Sequence, residues 1–263
     1  VFPLDNSDFV RTRLTHSHEV ATIGRSLGIS VEKYLSKRKP QAFKEESVGK
    51  LSALLSGNWL RGSYGNLILI GGAVRDLAES RTPRDYDIIV DAPDTGFAEA
   101  FSSFSYKQNR FGGYKLKVDG IEFDIWGIQS NWAFRERLLA PNFENISKGV
   151  FFNFDAVSFH LQWQNLDCTY FMEAINSRVL DILLDDEVVW KNPTPEVNVV
   201  RAWKIHKTRG LQFSDRLRNY IREWAATADN PQERLVEAER KHYGDGSQLS
   251  YDDYSQLLSH VKA

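Results

Sequence analysis

Apolar residues first recur at helical spacing through Val20, Ile23, Leu27 and Val31, inside an otherwise polar and basic stretch. The run Lys37-Arg38-Lys39-Pro40 closes that stretch, because a charge block ending in proline does not continue a helix. Val48, Leu51, Leu54 and Leu55 predict a helix over about 42–56, and Asn58 to Gly65 reads as a loop. Leu67-Ile68-Leu69-Ile70 then reads as a buried strand running into Gly71-Gly72 and a helix through about Glu79. Asp87 to Val90 predicts a second buried strand, followed by a helix over about 95–104. Tyr114 to Val118 and Ile121 to Trp126 alternate as strands, and Asp119-Gly120 between them is a hairpin signature.

Beyond Asn131 the pattern turns helical to about Leu139, then extended from Ala156 to Trp163. Pro193 and Pro195 mark a boundary, after which four helices are predicted, over about 196–209, 214–227, 231–242 and 250–261. Strands first and helices afterwards predict an α+β fold: a small mixed sheet followed by a helical neck and tail. The expected divisions are 1–40, 41–165 and 166–263.

Composition narrows the class without deciding the function. The 263 residues are 42% hydrophobic and 26% charged, which excludes a disordered chain and a coiled-coil rod. Thirty-three basic against 35 acidic residues give a net charge of −2, so any nucleic-acid surface must be local. The single Cys168 excludes a disulfide framework and a cysteine-rich zinc site. No apolar run approaches a membrane span and no signal-like apolar core is visible, so the expected location is the cytoplasm.

Candidate chemistry concentrates in Gly71-Gly72-Ala73-Val74-Arg75-Asp76 and Asp85-Tyr86-Asp87. A strand ending in Gly-Gly and opening a helix offers backbone N–H groups at a positive helix end, which suits phosphate. No Lys-Ser or Lys-Thr follows, so this is not a Walker loop. Asp85 and Asp87 share strand parity and point to one side. Two such carboxylates repel unless a cation lies between them, and Mg2+ is commonly held by carboxylates together with substrate phosphates. In Ile121-Glu122-Phe123-Asp124-Ile125-Trp126, Asp124 is the preferred third acid and Glu122 the reserve. Three such acids would make a two-metal site.

These two motifs resemble the signature of class II tRNA nucleotidyltransferases and bacterial poly(A) polymerases, within the polymerase-β-like nucleotidyltransferase superfamily. The resemblance implies Mg2+-dependent transfer of a nucleoside monophosphate from an NTP to an RNA 3′ end, with pyrophosphate released. It implies an NTP-binding site in which Gly71 and Gly72 cradle the triphosphate while Arg75 and Asp76 brace that helix, and it gives Asp85, Asp87 and Asp124 to two Mg2+ ions and catalysis. Arg110-Phe111-Gly112-Gly113 resembles the family's glycine-containing stretch before the third acid. Asn153-Phe154-Asp155-Ala156-Val157 stands where the family has Arg-Arg-Asp-Phe-Thr-Ile-Asn-Ala, without the two arginines. The base-reading element Glu-Asp-x-x-Arg is represented by Thr194-Pro195-Glu196-Val197-Asn198, so ordered C-then-A addition is not expected. Transfer to a protein or small molecule, or a catalytically silent interaction module, are the alternatives.

Val1-Phe2-Pro3-Leu4 and the stretch from Asp8 to Leu27 resemble the beginning of the HD-superfamily dGTP triphosphohydrolases, in which His16 would be the first metal ligand. None of His160, His206, His242 and His260 is followed by Asp, so the ligand set is not completed and residues 1–40 read as a remnant or fusion, or as a docking element, and not as a second active site. In the tail, Arg201, Lys204 and Lys207 fall at helical spacing with Arg209 beside them, a candidate track for an RNA backbone, with Arg201, Lys204 and Arg209 as the expected contacts. Trp203, Trp224 and Phe151, Phe152 and Phe154 read as core.

Overall fold

The computed structural model describes residues 67–262, apart from 79–82, 103, 110–111, 119, 137, 161–162, 164 and 245–248. The expectations for residues 1–66, including the docking element, His16 and the helix over 42–56, lie outside the described residues, as do Arg110, Phe111 and Asp119. The chain divides into two compact units, whose described parts are 67–147 with 157–168, and 148–156 with 169–262.

The first unit is built on a mixed seven-stranded sheet. Its strands are β1 (Leu67–Ile70), β2 (Asp85–Val90), β3 (Tyr106–Gln108), β4 (Tyr114–Val118), β5 (Ile121–Gly127), β6 (Ser158–His160) and β7 (Asn165–Asp167), in spatial order β3-β4-β5-β2-β1-β6-β7. Only β2 and β5 pair in parallel; the other neighbours are antiparallel. Helix α1 (Gly72–Ala78) separates β1 from β2, and α2 (Phe97–Ala100) precedes β3. The one-turn helices α3 (Trp132–Arg135) and α4 (Phe143–Ile146) follow β5. One sheet face carries Ile68, Ile70 and Ile89, packed with Ile128, Ala133, Phe134, Phe143 and Ile146. The other carries Tyr86 stacked on Phe123, with ring centroids 5.5 Å apart, and a ring cluster of Phe97, Phe101, Tyr106 and Tyr114.

In the second unit α5 (Thr169–Ser177) leads into β8 (Val179–Leu180), which pairs in parallel with β9 (Gln212–Phe213). Between them lie α6 (Asp186–Val189) and α7 (Pro195–Arg209); α8 (Asp215–Thr227), α9 (Pro231–Tyr243) and α10 (Tyr251–His260) follow. Prolines open α7 and α9, where a missing N–H costs nothing. Ser214 caps α8, and Ser250 with Asp253 forms a capping box on α10. Gly210, at φ 67°, ends α7. Lys148–Ala156 belongs here because Asn153 N–H bonds Asp181 O, its side chain bonds Val179 O and Asp181 N–H, and Leu183 N–H bonds Phe151 O. As expected, Trp203, Trp224, Phe151, Phe152 and Phe154 are buried.

The α+β architecture agrees with the sequence pattern, and the four terminal helices begin and end within two residues of expectation. Several details differ. The second strand starts at Asp85 rather than Asp87, because β5 pairs with it from its first residue. The helix expected over 95–104 is one turn, Phe97–Ala100. The helix after Asn131 stops at Arg135. The all-helical stretch is interrupted by β9, two residues long and thus without any readable period.

Candidate active site

The site begins where β1 ends. Ile70 runs into Gly71, which holds φ +63°, a left-handed turn that redirects the chain into α1. The Gly71 N–H donates to Val157 O at 2.9 Å, so of the two glycine amides expected to be open to phosphate, this one is already used. Gly72 has an ordinary φ; a Cβ built on it would lie 3.7 Å from Arg75 Nη2, so the guanidinium stands beside the turn.

β1 and β5 flank β2 and fix which side chains meet. Parallel pairing sets Asp85 against Glu122 and Asp87 against Asp124. Directly paired residues share a sheet face, so four acids gather at the N-terminal ends of β2 and β5. The same parity continues into Ile89 and Trp126, which pack in the apolar core, so the acid group sits at the open end of a buried face. The alternate residues, Tyr86, Phe123 and Ile125, are buried on the other side.

The acids are not equivalent. Asp85 accepts from Arg84 Nη2 at 2.7 Å, an exposed pair. Asp124, with 17% side-chain exposure, holds Lys115 Nζ at 3.1 Å through Oδ2. Its Oδ1 is buried and has no hydrogen-bond partner among the described residues. Burial raises the Asp124 pKa above the usual carboxylate value; Lys115 opposes the shift, and Asp85 and Glu122 add to it. Lys115 is held above the ordinary lysine value: burial lowers it, but its hydrogen bond to Asp124 and the surrounding acids outweigh that.

Carboxylate oxygens are the donors a hard divalent cation takes, and a buried oxygen without a partner is a place for one. The donor set therefore fits Mg2+. The expected two-metal cluster is not assembled, however: among the described residues no group of three or more His, Cys, Asp or Glu side chains is placed to hold a metal. Arg84 and Lys115 engage two of the three acids instead.

The RNA contacts expected on α7 have partners inside the second unit. Arg201 pairs with buried Asp155 at 2.5 Å. Lys204 pairs with Glu239, which has no exposure, at 2.8 Å, and lies 3.6 Å from the centroid of the Tyr243 ring. Arg209 sits over Phe154 at 5.6 Å, and Lys207 pairs with Asp253. Each of these four cations thus has a partner inside the second unit, and Lys207 is exposed. In the stretch compared with the base-reading element, Glu196 pairs with Arg234. Asn198 is buried and donates to Asn192 Oδ1 at 3.0 Å.

Sequence reasoning missed Lys115. The signal was present: the Asp119-Gly120 hairpin signature in the sequence predicts the β4–β5 pairing, and the observed register, with Val118 against Ile121, puts Lys115 across from Asp124 and Lys117 across from Glu122.

No protein-family profile matches the chain. The deoxyguanosinetriphosphate triphosphohydrolase-like protein of Listeria innocua is 45% identical over 67 residues, 25% of this chain and 14% of that protein. A solved CCA-adding enzyme in complex with ATP matches at 16% identity and TM-score 0.56, over 87% of this chain and 54% of that one. The Thermotoga maritima CCA-adding enzyme complexed with tRNA-CCA gives the same identity, TM-score and coverage. The likeness is one of fold, and the chain spans about half the length of these structures. Of the curated triphosphohydrolase-like protein it spans about a seventh. No helix among the described residues is long and apolar enough to cross a membrane.

Proposed function

We propose that the chain is a metal-dependent nucleotidyltransferase that moves the nucleoside monophosphate of an NTP onto an RNA 3′-hydroxyl and releases pyrophosphate. The observation that carries this reading is the β2–β5 register, which gathers Asp85, Asp87, Glu122 and Asp124 on one face beside the Gly71-Gly72 turn. Fold likeness to CCA-adding enzymes, solved with ATP and with tRNA-CCA, supports the nucleotide and the RNA acceptor. The α7 cations do not, since each has an internal partner.

Asp85, Asp87 and Asp124 are the residues that would hold Mg2+. When bound, the ion neutralises charge on the triphosphate and on the developing pyrophosphate. The chain's own groups supply position. Gly72 leaves the turn without a side chain, so phosphate oxygens can approach the backbone. Arg75 stands beside that turn as a cation for the triphosphate, with Asp76 on the same helix. The acceptor oxygen forms a bond to the α-phosphorus, the α–β phosphoanhydride bond breaks in line with it, and the hydroxyl proton passes to solvent. Glu196 and Asn198 are engaged within the second unit, so base choice is expected to be loose rather than an ordered C-then-A programme.

The test supplies α-labelled ATP, CTP, GTP and UTP in turn, with Mg2+ and total RNA, and fractionates the products. Label in RNA is the expected result. Label in protein or in small molecules would move the acceptor to another class, and faithful CCA ends on tRNA lacking them would overturn the reading of the neck.

A further inference from the structure

β4 sets the acid face apart by carrying lysines. Its antiparallel register with β5 sets Lys115 opposite Asp124 and Lys117 opposite Glu122, whereas on the β2 side the same two acids meet acids. Lys115 Nζ lies 3.1 Å from Asp124 Oδ2, and its side chain is 48% exposed. The other carboxylate oxygen, Oδ1, is buried with no partner among the described residues. Asp124 is thus half satisfied, one oxygen held by an ammonium at the surface and the other unanswered beneath it.

Such an ammonium is removable. It sits on a flexible stem, is open to water, and can be rehydrated by rotating outward. A divalent cation brings twice the charge to the same oxygens and repels an ammonium that shares them. Among the described residues no three acids are arranged to hold a metal, and Lys115 occupies the exposed oxygen of Asp124.

We propose that Lys115 is the resident counter-ion of Asp124, and that a divalent cation engages Asp124 only by displacing the lysine ammonium, so that Lys115 sets the metal affinity of the acid face. This rests on the reading that Asp85, Asp87 and Asp124 are the metal-holding acids. Removing the lysine charge then strengthens metal binding, moving Lys117, one pair along, matters less, and arginine at 115 keeps the competitor.

The experiment titrates Mn2+ alone into the full chain and counts free ion by electron paramagnetic resonance. The proteins are wild type, Lys115→Met, Lys115→Gln, Lys115→Arg and Lys117→Met, each first checked for an unchanged urea midpoint. Lys115→Met and Lys115→Gln should bind Mn2+ about tenfold tighter than wild type, from the loss of one like charge at contact distance. Lys115→Arg should stay near wild type, and Lys117→Met should change affinity by less than about threefold. Measurable binding that is unchanged or weaker in both neutral variants would overturn the role of Lys115 while leaving the metal assignment standing. Absence of Mn2+ binding by all five proteins at about 10 mM, far above the range of useful carboxylate sites, would overturn both.

Discussion

Replacing Lys204 by Met separates a structural cation from a nucleic-acid contact, because the two roles move different observables. Lys204 donates to Glu239 Oε1 at 2.8 Å, joining α7 to α9, and Tyr254 on α10 donates to Glu239 Oε2 at 2.6 Å. Glu239 has no exposure and Lys204 has 22%. Methionine fills similar volume but leaves a buried carboxylate without its cation. Breaking such a pair from one side costs about 3–5 kcal/mol. The partial exposure of Lys204 lets water reach the vacated side, which places the loss near the lower end, about 3 kcal/mol. For a chain of this size that corresponds to a fall in Tm of roughly 6–12 °C. Thermal and urea unfolding followed by tryptophan fluorescence reads this directly, since Trp203 and Trp224 are buried in the same unit. Filter binding to RNA at several salt concentrations is the second arm; its salt slope should not change. Unchanged stability together with a salt slope reduced by about one would refute the reasoning and restore Lys204 as a phosphate contact.

Gly71→Ala forces an L-residue to φ +63°, and since a Cβ there meets nothing within 4 Å the whole cost is backbone strain, about 1–2 kcal/mol in urea unfolding. Gly72→Ala should leave stability level or slightly raised and weaken NTP binding; an equal loss of stability in both variants would contradict this account of the turn. Burial pushes the Cys168 thiol up to about 11, so a thiol reagent should spare the native chain and label it in urea; rapid native labelling would show the side chain to be open. Burial, then His206 and Arg218, hold His260 below its usual 6.5, so a neutral imidazole is favoured in the folded state. Its contribution is present above pH 6.5 and lost as pH falls below that value, and His260→Phe should flatten the drop in urea midpoint between about pH 7.5 and about pH 5.5. An unaltered pH dependence in that variant would assign the loss to other groups.

What could be read without coordinates was whatever local pattern determines. The apolar run Leu67–Ile70 and the alternation in Ile121–Gly127 specify strands, and the proline, serine and glycine punctuation specifies the terminal helices. The shared parity of Asp85 and Asp87 likewise follows from strand geometry, and the four-acid face needed only the β2–β5 register to complete it. Partners brought in from distant segments were not readable. Val157 takes the Gly71 N–H, Asp155 takes Arg201, and Glu239 takes Lys204, and nothing in the neighbourhood of those residues along the chain announces it. A row of basic residues on a helix reads as a surface track, and the partners of Arg201, Lys204 and Arg209 inside the second unit were not visible in it.

The central claim is that the acid face of β2 and β5 transfers nucleotides, and the most direct measurement compares wild type with Asp87→Asn. Label incorporated from an α-labelled NTP and pyrophosphate released are quantified together, with Mg2+ and total RNA present, on proteins of matched urea midpoint. The account predicts equimolar incorporation and release in wild type, loss of both on chelation, and loss of both in Asp87→Asn, which keeps the side-chain volume and removes the charge. Incorporation by Asp87→Asn at the wild-type rate, or the absence of metal-dependent pyrophosphate release from wild type, would contradict it.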